Sequence, residues 1–420
     1  MKLSVHTRGR GAAKAAAGAV VAGVLTLAAC TAGSASGPAG SSSSSPPAGT
    51  ASPTGKASPA PSPTSSPSSS PGPSETLAGF RVLSMSFVSD QRGFALGTVS
   101  CATGRCVALL GTPDGGSSWA QLAAPTRAAG GVYNTCPDGQ PCVQQVRFAT
   151  PLTGYAYDPS LLVTTDGGRH WRLPSGAYVS SLETAAGTVV RVASAGTGCS
   201  GGRYDVDAAP VGSTAWRALP APAIPEICPP VLYRQGERLV LVGYGNPAGG
   251  VRATAQIARS GNGGQTWASG PDSCGGRDGY ASGVTLAPPD VLVLLCQHQM
   301  PGATGVFGPA WVRVSVDGGA SFGPSQTVPP GPAVPPGTIR SYQLAAASAG
   351  RLLVVESGQN GSRVLLTENG GQTWSATLNL AASGPVVLVG YQDPVTGRIA
   401  QSDLVWTTRD GGRTWIADQF

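Results

Sequence analysis

The sequence predicts an all-β fold, a seven-bladed β-propeller of four-stranded antiparallel blades. Three observations carry that prediction. An eight-residue turn motif recurs at near-regular intervals, Gly and Pro are abundant, and helix-building residues are scarce. Of 420 residues, 61 are Gly and 37 are Pro, only 11% are charged, and Lys stands only at positions 2, 14 and 56. That composition disfavours helical bundles and coiled coils, which are rich in Ala, Glu, Lys and Leu. Short Val- and Thr-rich blocks between Gly/Pro clusters favour strands and tight turns.

Residues 1–29 read as an address. Met1 to Lys14 is basic (Lys2, Arg8, Arg10, Lys14) and Ala15 to Ala29 is small and apolar. An apolar run of about 15 residues after a basic segment fits a secretory signal and is short for a membrane span. The run ends Leu27-Ala28-Ala29-Cys30. It resembles a bacterial lipoprotein signal, which implies that Cys30 is acylated and becomes the first mature residue; an ordinary signal peptide with a chance cysteine is the alternative. The expected location is extracytoplasmic, anchored to the cell membrane by an N-terminal lipid. Residues 30–77 are then the lipidated cysteine and a Ser/Pro-rich linker, whose only charge between Thr31 and Ser74 is Lys56. Too few apolar side chains stand there to offset ordering entropy, so disorder is expected.

The formal net charge is +6, but four of the 27 basic residues lie in the signal, leaving 23 against 21 acidic ones. A nearly balanced surface without a basic run excludes nucleic acid as a partner.

The remainder, 78–420, repeats itself. Thr112-Pro113-Asp114-Gly115-Gly116-Ser117-Ser118-Trp119 recurs as Thr164 to Trp171 with Asp166, and as Ser260 to Trp267 with Asn262. It returns as Ser315 to Phe322 with Asp317, Thr367 to Trp374 with Asn369, and Thr408 to Trp415 with Asp410. A degenerate seventh copy ends Val211-Gly212-Ser213-Thr214-Ala215-Trp216. A spacing of roughly 41–55 residues signals a solenoid, propeller or array. The unit reads as a turn: Asp or Asn bonds backbone N–H groups ahead of it, the glycines supply φ > 0, and the leading hydroxyl closes the loop. The aromatic starts the return strand; only Trp311 and Trp406 fall outside this position.

A second echo lies upstream: Phe87 precedes Gly93 by six residues, Phe148 precedes Gly154, and Tyr391 precedes Gly397. One repeat therefore holds four strands, A and B around this turn, C and D around the aspartate turn. Sheets of about 49 residues bury their faces only by stacking, and radial closure protects their edges.

The pattern Ser/Thr-x-Asp-x-Gly-x-x-Trp resembles the Asp-box, or BNR, repeat of sialidases, sortilin-type receptors and photosystem II assembly-factor-like proteins. The pairing of Phe-x6-Gly-x-Ala with Asp-Gly-Gly-x-x-Trp is most similar to the last group. The resemblance implies a propeller whose boxes are structural turns away from any active site.

A propeller of this connectivity puts the A–B and C–D turns on one face and the B–C and D–A loops on the other. All eight cysteines of the head map to the loop face, as do the insertions Gly243–Val251 and His298–Trp311. An even number of cysteines in an exported chain reads as disulfides. Neighbour pairing gives Cys101–Cys106, Cys136–Cys142, Cys199–Cys228 and Cys274–Cys296, one of about 105 connectivities that eight cysteines allow. The stapled loops form either a recognition surface or merely a stabilised one. With three histidines in the chain, no metal is expected, and no cofactor.

A sialidase-like hydrolase would need an arginine clamp, a Tyr nucleophile activated by Glu, and an acid. Phe80-Arg81-Val82-Leu83 matches the first arginine of that family without its proline, and Arg340-Ser341-Tyr342 could supply a late arginine and tyrosine. The glutamates of the repeats are Glu183, Glu226, Glu237, Glu356 and Glu368. Neither His170 nor His298 has a nucleophile partner in sequence, and P-loop patterns are absent. The reading adopted is a non-catalytic envelope lipoprotein whose monomeric head binds a protein or glycan. The alternative is an exo-sialidase-like glycoside hydrolase.

Overall fold

The computed structural model describes residues 79–101, 104–125, 143–174, 178–194, 204–222, 224, 230–245, 254–271, 273–274, 279–299, 307–331, 341–358, 360–381, 384 and 386–420. The expected signal, Cys30 and the linker lie outside them. The described residues form seven antiparallel sheets, each of consecutive strands laid side by side in chain order. The first strands of the sheets are Arg81–Phe87, Val143–Phe148, Tyr178–Ala185, Val231–Gln235, Gly279–Ala287, Ser341–Ala346 and Val386–Tyr391.

Seven apolar clusters fill the gaps, and each joins two neighbouring blades. One of them packs Phe80, Val82, Met85 and Phe87 of the first blade on Leu388, Ala400 and Val405 of the seventh. Val82 N–H also donates to Ser402 C=O across that seam at 2.8 Å. The ring is closed, and it is a seven-bladed β-propeller.

Next to the axis, side chains of one inner strand bond the backbone of the next. Ser84 and Ser86 accept from Val146 and Phe148 N–H at 3.2 and 2.8 Å, and Ser181 accepts from Leu232 N–H at 3.0 Å. These buried hydroxyls thereby satisfy edge N–H groups that no fifth strand reaches.

The aromatic-x6-glycine echo has a steric origin. A Cβ on Gly93 would lie 2.4 Å from the Phe87 ring, and one on Gly154 would lie 2.5 Å from Phe148. The ring of the first strand lies flat over the start of the second, and only hydrogen fits beneath it. Phe87 and Phe148 then meet Trp119 and Trp171 edge-on at 6.2 and 6.3 Å, so one interlock is built twice.

Two departures stand out. The second blade has three strands, Val143–Phe148, Gly154–Pro159 and Leu162–Thr164, and its fourth is reduced to a single bridge between Val163 and Arg172. The next rung would need an N–H from Pro174, which has none. The segment His298–Trp311, expected as an insertion, is strand at both ends: Val291–Gln299 and Phe307–Ser315 pair out to Gln299 and Phe307, and 300–306 lie outside the described residues. Trp406, unassigned in sequence, is a core residue of the sixth seam with the seventh blade.

Candidate functional site

The turns come first, because they define the face that is not variable. In the first blade Thr112 Oγ1 donates to Asp114 Oδ1 at 2.8 Å and accepts from Gly116 N–H at 2.9 Å. Asp114 accepts from Ser118 N–H at 2.8 Å and from its hydroxyl at 2.5 Å. Asp166, Asp317 and Asp410 repeat the scheme with His170, Ser321 and Thr414. Asn262 and Asn369 keep it with one polarity reversed: their amide N–H donates to Thr266 and Thr373 Oγ1 at 2.9 and 2.8 Å. Both glycines of every such turn have positive φ, as in Gly115 at 80° and Gly116 at 107°. The first glycine N–H donates to the A–B turn of its own blade, at Gln91, Leu152, Glu237, Asp290, Gly350 and Val395. A–B and C–D turns therefore share one face.

The carboxylates of these turns are acidic. His170 N–H and then its ring hold Asp166 far below the usual carboxylate range, and the Ser321 hydroxyl and N–H do so for Asp317. Burial opposes ionisation at Asp410, but hydrogen bonds from Thr414, Thr408 and Arg413 outweigh it and lower the group to about 2. Trp119, Trp171, Trp267, Phe322, Trp374 and Trp415 pack against the apolar clusters between blades.

The opposite face carries Cys274–Cys296, a disulfide with Cα atoms 5.6 Å apart. It ties the approach to the fifth blade to that blade's second strand. Beside it the His298 and Trp311 rings stand 4.6 Å apart. Cys106 is also disulfide-bonded, while the side chain of Cys101 lies outside the described residues. So do Cys136, Cys142, Cys199 and Cys228.

The hydrolase candidates stand on different blades. Arg81 is exposed at the start of the first blade, Tyr342 is 7% exposed in the sixth, and Arg340 lies outside the described residues. Tyr342 does meet a glutamate: its hydroxyl donates to Glu356 Oε1 at 3.2 Å. Glu356 in turn accepts Arg363 Nε–H at 2.7 Å and Gly331 N–H at 3.3 Å, and is 6% exposed. Arg363 also bonds the Pro329 carbonyl, so the cluster pins 329–331 of the fifth blade to the sixth. As placed, it is a strut; the buried tyrosine presents no open nucleophile. Among the described residues no group of three or more His, Cys, Asp or Glu is placed to hold a metal ion, and no helix is long and apolar enough to cross a membrane.

No protein-family model matches the chain, and no curated protein is similar to it in sequence. Solved structures do resemble it. A puromycin-hydrolyzing peptidase of Mycobacterium tuberculosis is 15% identical with a TM-score of 0.51, over 82% of this chain and 54% of that one. YCF48 bound to a D1 peptide is 15% identical with a TM-score of 0.41, over 65% of this chain and 79% of that one. A Niastella koreensis GH74 enzyme is 13% identical with a TM-score of 0.34, over 81% and 65%. At these identities the likeness concerns the fold alone, a propeller used by binding and by hydrolytic proteins.

Sequence reasoning missed the charges between the second and third blades. Arg147 Nη2 donates to Glu183 Oε1 at 2.6 Å, with side chains 6% and 4% exposed. Nothing local marks an arginine in a strand as the partner of a glutamate 36 residues later. Nearby Asp158, at the loop-face end of the second strand, has φ of 68°, and burial raises its carboxyl to about 6.

Proposed function

We propose that the chain is a lipid-anchored extracytoplasmic protein whose propeller binds a protein or glycan partner through its loop face, without catalysis. The repeated turns are read as Asp-boxes of purely structural use, and Cys30 as the acylated residue. The observation that carries the reading is the asymmetry of the two faces. On one, turn after turn spends the same hydrogen bonds on itself. On the other, the connecting segments differ in length and sequence from blade to blade, and the described part is braced by Cys274–Cys296. A rigid scaffold with variable, braced loops at one end is the usual geometry of a recognition surface.

The test is paired co-purification of the full-length protein from membranes, wild type against a Cys274→Ser/Cys296→Ser double variant. A partner retained by the first and lost by the second, at equal abundance, supports the reading. Labelling with a fatty-acid analogue that persists in Cys30→Ser removes the anchor from it. Tyr342 beside Glu356 is the one observation favouring the hydrolase. A fluorogenic sialoside turned over by wild type but not by Arg81→Ala or Tyr342→Phe would replace binding with catalysis.

A further inference from the structure

Three Asn-Gly dipeptides occur in the chain, at Asn262-Gly263, Asn360-Gly361 and Asn369-Gly370. Asn followed by Gly is open to attack from within the chain, because no Cβ shields the glycine nitrogen. That nitrogen closes a cyclic imide on the Asn side chain wherever the amide is free to turn towards it. All three asparagines are exposed, and the glycines after them are half-buried. Exposure therefore does not separate the three sites; hydrogen bonding does.

In the two turn motifs the amide is locked. Asn262 Oδ1 accepts from the Ser260 hydroxyl at 2.9 Å and from Thr266 N–H at 3.0 Å, and its Nδ2 donates to Thr266 Oγ1 at 2.9 Å. Asn369 makes the same three bonds, with Thr367 Oγ1 at 3.0 Å and with Thr373 N–H and Oγ1 at 2.9 and 2.8 Å. The attacking nitrogens are held too: Gly263 N–H donates to Glu237 C=O and Gly370 N–H to Gly350 C=O, both at 2.8 Å. Turning either side chain onto its glycine would break its whole set of bonds. The product is not what the fold resists, since Asp114, Asp166, Asp317 and Asp410 hold that position in other copies of the turn.

Asn360 has no such lock. In the sixth blade Leu352–Gly358 and Gly361–Thr367 pair out to Gly358 opposite Gly361, so Asn360 belongs to the tight B–C connection on the loop face. The hydroxyls that hold the motif asparagines come two residues before and four after; around Asn360 those positions are Gly358 and Val364. The nearest hydroxyls in sequence, Ser357 and Ser362, bond each other at 2.7 Å. Among the described residues no hydrogen bond engages the Asn360 side chain.

We propose that Asn360 is a self-modifying site, deamidated through its own backbone while Asn262 and Asn369 persist. The Gly361 nitrogen, after losing its proton to water or hydroxide, bonds to Asn360 Cγ. The Cγ–Nδ2 bond breaks, Nδ2 takes up a proton and ammonia leaves, giving a cyclic imide. Water then opens the imide at either carbonyl, producing aspartate or isoaspartate. The sum is amide plus water to acid plus ammonia, with nothing oxidised or reduced. Each event places a new negative charge on the loop face, and the isoaspartate form lengthens the connection by one backbone atom.

The test is peptide mapping by mass spectrometry of the full-length protein, sampled over days at mildly alkaline pH. Native protein should deamidate at Asn360 at least ~10-fold faster than at Asn262 or Asn369, the factor expected from opening a turn lock. The Asn360 rate should rise with pH, because the attacking nitrogen must first be deprotonated. In urea the locks are gone, and the three rates should converge. Thr373→Ala removes one lock bond from Asn369 and should speed that site about 3–10-fold while leaving Asn360 unchanged. Equal native rates at the three sites overturn the proposal, as does a preference for Asn360 that persists unchanged in urea. An Asn369 rate that Thr373→Ala does not alter would overturn it equally.

Discussion

At the seam between the seventh and first blades the filling is aromatic. Phe80 and Trp119 meet Phe420 at 5.2 and 5.0 Å, and the buried Arg398 guanidinium lies 3.5 Å over the Phe87 ring. Arg398 there donates to the carbonyls of Asp90 and Gly115 and to Gln392 Oε1, so its cation is met by dipoles. Between the second and third blades the buried cation is Arg147, and its partner is a full carboxylate, Glu183. One seam tolerates a charge by surrounding it with neutral acceptors and a π-face; the other pairs it with an opposite charge, yet leaves a cavity farther out. A stack of sheets can thus be sealed with two different chemistries, each answering the buried cation's charge with acceptors close by.

The largest expected effects break each seam. Phe80→Ala should cost about 3–5 kcal/mol through the cavity it opens, read as a lower urea midpoint. Arg147→Ala should cost a similar ~3–5 kcal/mol, because Glu183 is left charged and buried. Replacing both, Arg147→Met with Glu183→Leu, should recover most of that loss. If the double variant is as unstable as the single one, ion pairing is not what holds that seam.

Asp158 sharpens the comparison through pH. Its folded carboxyl sits at about 6, above the ~3.9 of an unfolded chain, so burial of the charged form destabilises the protein above pH 6. That penalty fades as pH falls from 6 towards 4, where both states are protonated. Asp158→Asn, which also tolerates the positive φ, should therefore raise stability at pH 7.5 by about 1–2 kcal/mol after allowance for partial exposure. The gain should vanish near pH 4 in thermal melts.

The smallest effects belong to the turns beside the closing seam. Asp114→Ala removes the acceptor of two bonds from Ser118 and should cost about 1–2 kcal/mol. Asp114→Asn should cost less than about 0.5 kcal/mol, since Asn262 and Asn369 already build the same loop. The turn aspartates, lowered in the folded state, add stability above the unfolded value near ~3.9, and this is lost as pH falls towards about 2 at Asp410. Asn262 and Asn369 contribute nothing to that acid loss.

The blade count and the turn chemistry were legible because both are local: Asp, Gly-Gly and the aromatic act within eight residues. The aromatic-x6-glycine echo was legible too, though its cause, a ring lying on a glycine of the next strand, is spatial. Arg147–Glu183, Tyr342–Glu356 and Arg398 on Phe87 were not legible. Each pairs residues from different strands, with no periodicity to announce it. The shortened second blade was hidden as well, since its turn reads like the others and only Pro174 marks where the last strand gives out.

Every blade here is finished by the stretch of chain that began it, and among the described residues no strand is borrowed from the far end to lock the circle. Such a chain can therefore fold wedge by wedge as it is made, leaving one long-range event, the docking of the last wedge on the first. Cutting the circle at a different inter-blade connection and rejoining the ends would move that event without adding another.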